Sequence, residues 1–133
     1  MSSPLVAQED IPNILQVTIT SHQPDKGLTI GTIDKIDFIL PHLKCYIGEK
    51  LLLNMPASEI ILSTAEPENL SASNIFKGTI TTINQLEERI FVDADIGICL
   101  IVEIVPATVK RLALTKGKEV FLIMKASSFR RLG

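Results

Sequence analysis

The residues best suited to chemistry lie in one short stretch, Leu70-Ser71-Ala72-Ser73-Asn74-Ile75-Phe76-Lys77-Gly78-Thr79-Ile80-Thr81. It begins as a small polar turn, runs into a strand, and holds the densest group of hydrogen-bond donors in the chain. Amides and hydroxyls at such a turn can converge on a small anion, because turn N–H groups are free to donate. The same residues also make an ordinary turn before a strand, as Ser and Asn often do. Other constellations offer less. Asp93 and Asp95 share one face of a strand, but no nucleophile or histidine accompanies them, and they read as a solvated face. Glu87-Glu88 reads as a hairpin tip and Lys110-Arg111 as a solvated helix surface. His22 and His42 have no partner at metal-ligand spacing and read as surface or turn residues. Cys45 and Cys99 stand far apart and read as reduced, buried small hydrophobes of a cytosolic protein. No catalytic residue, metal site or cofactor is expected.

A chain of 133 residues makes one domain or two very small lobes. Apolar residues are 46% and charged ones 21%, a globular composition. The longest apolar run, Ile96 to Val102, falls far short of the ~20 residues of a spanning helix. Apolar excess without a membrane segment points to strands buried on both faces or to an oligomer interface. The first ten residues lack a basic n-region and an apolar h-region, so no signal peptide is expected. Net charge is -2, with -4 in residues 1–66 and +2 in residues 67–133. One Tyr, no Trp and so mild a balance argue against a nucleic-acid surface, which needs a basic stripe with aromatics. The second half is the better place for a small anion.

The elements that must position the donors read as strands. Residues 1–12, with Pro4 and Pro12, read as a leader or linker. Strands are predicted over 14–20, 28–33, 36–40, 50–54 and 57–63, then over 74–84, 89–94, 98–104, 119–124 and 126–130. Pro24-Asp25-Lys26-Gly27 is a turn signal. A short crossover runs from Pro41 to Gly48. A second one contains a helix over 107–114, with Pro106 at its favoured first position, and ends at Gly117.

The chain repeats itself. Residues 14–20 match 75–81 at an offset of 61, and Met55-Pro56-Ala57-Ser58 matches Met124-Lys125-Ala126-Ser127 at an offset of 69. The second copy is thus longer by eight residues, mostly in the helical crossover. Each copy reads as five short strands plus a crossover, so the expected fold is all-β, two tandem OB-like five-stranded barrels with short helical crossovers. The first, degenerate lobe is expected over 13–66 and the second over 67–133.

The repeat plan and three local patterns together resemble the molybdate-binding repeats, found singly in small molybdate-storage proteins and doubled in larger ones. The nearest likeness is the C-terminal regulatory domain of the ATP-binding subunit of molybdate ABC importers. The patterns are Pro56-Ala57-Ser58-Glu59-Ile60, then Ser71-Ala72-Ser73-Asn74-Ile75-Phe76-Lys77-Gly78, then Leu112-Ala113-Leu114, Gly117 and Lys125-Ala126-Ser127. The sequence departs from that family at Ser73, where an arginine is usual, and at Val105, where threonine or serine is common. Both changes remove donors.

The resemblance implies a non-enzymatic domain that binds molybdate or tungstate and needs no cofactor. The ligand-binding residues it points to are Ser71, Ala72, Ser73, Asn74, Lys125, Ala126 and Ser127. It further implies a homodimer through the same domain, with the ATPase domain and membrane permease of an importer as partners, on the cytoplasmic face of the membrane. The chain itself has no phosphate-cradling Gly-x-x-x-x-Gly-Lys-Ser/Thr. The rival readings are a free-standing molybdate-storage protein, a dimerisation module without ligand, and an accessory domain of an importer for another solute. Pro56 in place of Lys125, and Val17 in place of Gly78, argue against two competent copies.

Overall fold

The computed structural model describes residues 9–132, so most of the expected leader, residues 1–8, lies outside the described residues. The first repeat supplies β1 (Pro12–Gln23), β2 (Leu28–Ile33), β3 (Ile36–Pro41), β4 (Lys50–Pro56) and β5 (Ile61–Ser63). The second supplies β6 (Asn74–Leu86), β7 (Arg89–Asp95), β8 (Cys99–Ile104), β9 (Glu119–Met124) and β10 (Arg130–Arg131), with one helix, α1 (Pro106–Leu112). Two antiparallel five-stranded sheets result, in the orders β10-β4-β1-β2-β3 and β5-β9-β6-β7-β8. The fold is all-β and OB-like, as the alternating pattern predicts. Each repeat lends its last strand to the other sheet: β5 pairs with β9, and β10 pairs with β4.

The loan is made through two corners that local pattern reads as strand. Residues 57–63 and 126–130 are not continuous strands. Ala57–Glu59 and Ala126–Ser128 are single turns of 3-10 helix, followed by the short β5 and β10. Small residues let each corner fold tightly against the core; Ala57 is fully buried. Ile60 and Phe129, both buried, then carry the chain across to the other sheet.

One core runs through both repeats. Leu15, Val17 and Ile19 alternate inward on β1, and Leu51, Leu53 and Met55 do so on β4. Ile80, Val92, Leu100, Val102, Val120, Leu122 and Met124 serve the second sheet in the same cluster. Each such side chain contributes roughly 1.5–3 kcal/mol when fully buried. Phe38 of β3 joins the halves, with ring centroids 5.0 Å from Phe76 and 5.9 Å from Phe129.

Two asparagines close the edges that this arrangement leaves open. β3 and β8 are edge strands, and an edge presents unpaired N–H and C=O groups. Asn74, buried at the start of β6, accepts the Ile39 N–H at 2.8 Å and donates to the Ile39 carbonyl at 2.8 Å and the Met124 carbonyl at 3.3 Å. Asn13 does the same from β1. It accepts the Ile101 N–H at 2.8 Å and donates to the Ile101 and Met55 carbonyls at 2.8 and 3.0 Å. Asn13 and Asn74 are equivalent at the offset of 61, and Met55 and Met124 at the offset of 69. The repeat read from sequence is thus a repeat of hydrogen bonds.

The two crossovers differ. In the second, Ala113 takes the left-handed conformation at φ 51°, so the helix ends at Leu112 rather than at Leu114. Lys118 Nζ donates to the freed Leu112 and Ala113 carbonyls at 2.8 and 3.1 Å. In the first, residues 42–49 hold no helix. His22 pins them, which corrects its reading as a surface or turn residue. Its Nε2 donates to the Cys45 carbonyl at 2.8 Å, and its Nδ1 bonds the Thr29 hydroxyl at 2.9 Å. Thr29 Oγ1 also accepts the Leu43 N–H at 3.0 Å.

The contrast between Val17 and Gly78 is one of packing. Val17 has no exposure, and a Cβ on nearby Gly31 would lie 3.1 Å from the Val17 Cβ. At Gly78 a Cβ would meet Ile96 Cγ2 at 2.9 Å and the Asp95 carbonyl oxygen at 3.0 Å. In the register, Ile19 pairs with Gly31 and Ile80 with Ala94. Val17 packs beside Gly31 in one repeat, and Gly78 beside Ile96 and Leu122 in the other. This difference says nothing about ligand competence.

Candidate functional site

The register of β5, β9 and β6 sets Ile61, Ile123 and Ile75 in one cross-strand row. Paired residues share a face, and this face is opposite to the one on which Leu62 and Leu122 enter the core. Ile61 is 58% and Ile75 40% exposed, so the row is an apolar surface and not a second core. Both 3-10 corners reach this surface, because β5 follows the first and β9 leads into the second. The connector ahead of β6 arrives beside them through Asn69, at φ 56°, a conformation that asparagine tolerates well.

These pieces enclose a cavity of about 390 Å³. Its floor is Ile61, Leu70 and Ile123; its rim is Ser58, Glu59, Ser71, Ala72, Lys125 and Ser128. The volume falls within the ~300–1,000 Å³ of small-ligand clefts. Lys125 is exposed and sits in extended backbone just before the second corner, where its carbonyl accepts the Ser128 N–H at 3.1 Å, and its ammonium has no hydrogen-bond or ion-pair partner among the described residues. An unpaired ammonium in a cavity shared with the Ser71 and Ser128 hydroxyls, the third serine, Ser58, donating to Asp10, is a donor set suited to an anion.

The structure brings together Ser71, Ala72 and Lys125 from the seven residues named above. Ser73, Ala126 and Ser127 are neighbours in sequence but do not line the cavity. The Asn74 side chain is committed to the edge of β3, with its oxygen and both of its N–H groups engaged. Local sequence offers the Asn74 amide as a donor; the buried side chain is a clasp. Ser128 and Glu59 escaped sequence reasoning. They are equivalents at the offset of 69, so the repeat itself was the available signal for pairing them. Glu59 brings a carboxylate to the wall, and Arg130 Nη2 holds its Oε2 at 3.0 Å.

A second cavity, about 410 Å³, is lined by Lys44, Cys45, Tyr46, Glu49 and Arg131. Its guanidinium is already engaged: Arg131 Nη1 donates to the Lys44 carbonyl at 2.8 Å, and Nη2 lies 3.9 Å from Glu49. Burial and the Glu49 carboxylate push the Cys45 thiol up, against the pull of Arg131. A raised thiol is a poor nucleophile and a poor metal ligand. No group of three or more His, Cys, Asp or Glu among the described residues could hold a metal.

The fold is a tandem OB-like repeat with a cavity at the second corner, and residues 70–130 match the family model of the TOBE domain. Its relatives are specific. It is 30% identical over 115 residues to the molybdenum import ATP-binding protein ModC of Rhizobium etli, covering 84% of this chain and 32% of that protein. It is 25% identical over 129 residues to ModC of Granulibacter bethesdensis, covering 90% and 35%. The chain thus spans about a third of these relatives' length, in their C-terminal part. Among solved structures it resembles the cytoplasmic molybdate-binding protein ModG, crystallised with molybdate bound. That likeness has a TM-score of 0.67 at 20% identity and covers 88% of this chain and 92% of the other, which is a likeness of fold. The resemblance drawn from the motifs holds.

Proposed function

We propose that this chain is an oxyanion-binding regulatory and dimerisation domain for molybdate or tungstate, acting with the ATP-binding subunit of an importer. The observation that carries the proposal is Lys125, unpaired among the described residues, over a cavity with Ser71, Ala72 and Ser128. Its setting in a chain related to ModC proteins supports the choice of ligand. The ligand set is Ser71, Ala72, Ser73, Asn74, Lys125, Ala126 and Ser127, with Ser128 added. Asn74 takes part through its backbone, since its side chain is engaged. A tetrahedral dianion accepts hydrogen bonds and donates none, so an ammonium, hydroxyls and turn amides match it at about 3 Å. The domain binds and does not catalyse; the ATPase domain and the membrane permease are its partners, on the cytoplasmic side. No helix among the described residues is long and apolar enough to cross a membrane.

Two copies meet through these domains, and the exposed Ile61, Leu70 and Ile75 around the cavity form the apolar part of that contact. A bound oxyanion then biases the arrangement of the two ATPases, a coupling between separate sites. The test is titration calorimetry with sodium molybdate, tungstate, sulfate and phosphate. Saturable binding of the first two, with weaker sulfate and phosphate, is expected. No heat at millimolar molybdate would leave only the dimerisation module.

A second reading, a free-standing binding protein, draws support from the coverage of 92% of the ModG chain by this one. Pro56 and Asp10 count against it, because they stand where Lys125 and Ser71 stand in the second repeat and leave one competent copy in two.

A further inference from the structure

The candidate cavity is poorly balanced for a doubly charged ligand. Lys125 offers one positive charge, and Glu59 on the same wall cancels it. A carboxylate and an oxyanion are both acceptors only, so they repel each other and compete for the same donors. The group able to settle the competition is Arg130, which leaves β10 in the first sheet and reaches the first corner, where Nη2 meets Glu59 Oε2 at 3.0 Å. Glu59 is the side-chain partner of Arg130 among the described residues. The arginine side chain is 66% exposed and the glutamate 33%. An exposed pair of this kind is cheap to separate. A guanidinium carries five N–H donors in a planar fork that matches tetrahedral oxyanions as well as carboxylates.

We propose that Arg130 is the second cationic ligand of this cavity, and that Glu59 holds its guanidinium until an oxyanion takes the carboxylate's place. The inference rests on the oxyanion reading above and deepens it. Glu59 is then an internal competitor that sets the concentration at which the site fills. Because the ligand carries two charges and the carboxylate one, ligand displaces Glu59 from the fork and leaves it turned outward to solvent. The arrangement uses a residue from each repeat, since Glu59 closes the first corner and Arg130 follows the second.

The experiment is titration calorimetry with sodium molybdate and sodium tungstate on the whole chain and on Glu59→Gln, Arg130→Ala, Arg130→Lys and Lys125→Ala. Circular dichroism melts would confirm that each variant folds. Glu59→Gln should bind about 3–10-fold more tightly, since it removes the competitor and a like charge. Arg130→Ala should bind roughly 10-fold more weakly, and Arg130→Lys should recover part of that loss. An ion pair with a merely structural role would move both single variants in the same direction. If both weaken binding, or both leave it unchanged while Lys125→Ala still weakens it, the role of Arg130 is overturned and the oxyanion site stands. If the parent is silent and Glu59→Gln binds, the competitor is confirmed. If neither binds, the inference and the oxyanion reading fall together.

Discussion

Asn13 and Asn74 make the same three hydrogen bonds from equivalent places, one to β8 and one to β3. Three residues before each, the repeats part company. Asp10 stands where Ser71 stands, and its Oδ1 accepts the Ser58 hydroxyl at 2.5 Å. Pro56 takes the position of Lys125, and it is buried where the lysine is exposed. The cross-strand row that reads Ile61, Ile123, Ile75 in the second sheet reads Arg130, Asn54, Ile14 in the first. The repeats therefore share the bonds that close the sheets and differ in the donors around a cavity. Chain closure constrains both halves alike, whereas a ligand needs one.

The comparison breaks most visibly at the clasps. Asn74→Ala strands the Ile39 N–H and carbonyl at a part-buried edge, and at ~1–3 kcal/mol per unsatisfied group the loss should be on the order of 2–4 kcal/mol. Asn13→Ala should cost about as much through Ile101. Urea unfolding of the two variants checks both; a loss at one and none at the other would show that the clasps are not equivalent.

Next comes the donor set. Lys125→Ala should weaken molybdate binding by roughly one to two orders of magnitude, because a charged hydrogen bond is worth about 1.5–3 kcal/mol. Ser71→Ala should cost less, and Lys110→Ala, on the exposed face of α1, almost nothing. Calorimetry should also return one site per chain. Two equal sites would mean that Asp10 and Pro56 do not disable the first repeat.

A smaller effect separates packing from binding. Gly78→Ala forces a Cβ against Ile96 and the Asp95 carbonyl, and overpacking of this kind costs ~1–3 kcal/mol. It should lower the melting temperature while leaving molybdate affinity near that of the parent once folded.

The smallest effect concerns the thiols. Burial and the Glu49 carboxylate raise Cys45, and burial with Asp93 and Asp95 raises Cys99, each from an ordinary value of 9.0. A raised acid favours its protonated form in the folded state. The associated stabilisation is fully present below that ordinary value and fades as pH climbs through the folded one. Cys45 is half-buried and Cys99 exposed, which corrects their reading as buried residues. Disulfide-exchange labelling at pH 8 should therefore be slower in the folded protein than in denaturant, and more so for Cys45 than for Cys99. Equal labelling rates in the native and the denatured chain would contradict the raised thiols.

Alternating β-branched runs made most strands legible, and the offsets of 61 and 69 made the repeat legible. The corners at residues 57–59 and 126–128 were not, since Ala-Ser pairs next to apolar residues carry the same local pattern as a strand edge. The exchange of β5 and β10 was hidden for a different reason: periodicity tells which face a residue takes but not which strand it will pair with. At the cavity, Ser71, Ala72 and Lys125 were readable because their chemistry is local. Glu59 and Arg130 were not, because 71 residues separate them and only the fold makes them neighbours. The clasp made by the Asn74 side chain was not legible, because a buried edge asks for the same side chain that a turn does.

The exchanged strands also fix an order of assembly. β4 finds its outer partner only in residues 130–131, more than seventy positions downstream. During synthesis the first sheet therefore emerges with one flank open, and that flank stays open until residues 130–131 have left the ribosome. Such sequence-distant pairing slows folding, and a bare flank of this kind is a template for pairing with another chain. Removing β10 would accordingly injure the sheet whose other strands come earlier in the chain, and a chain lacking it would be the form most prone to aggregate.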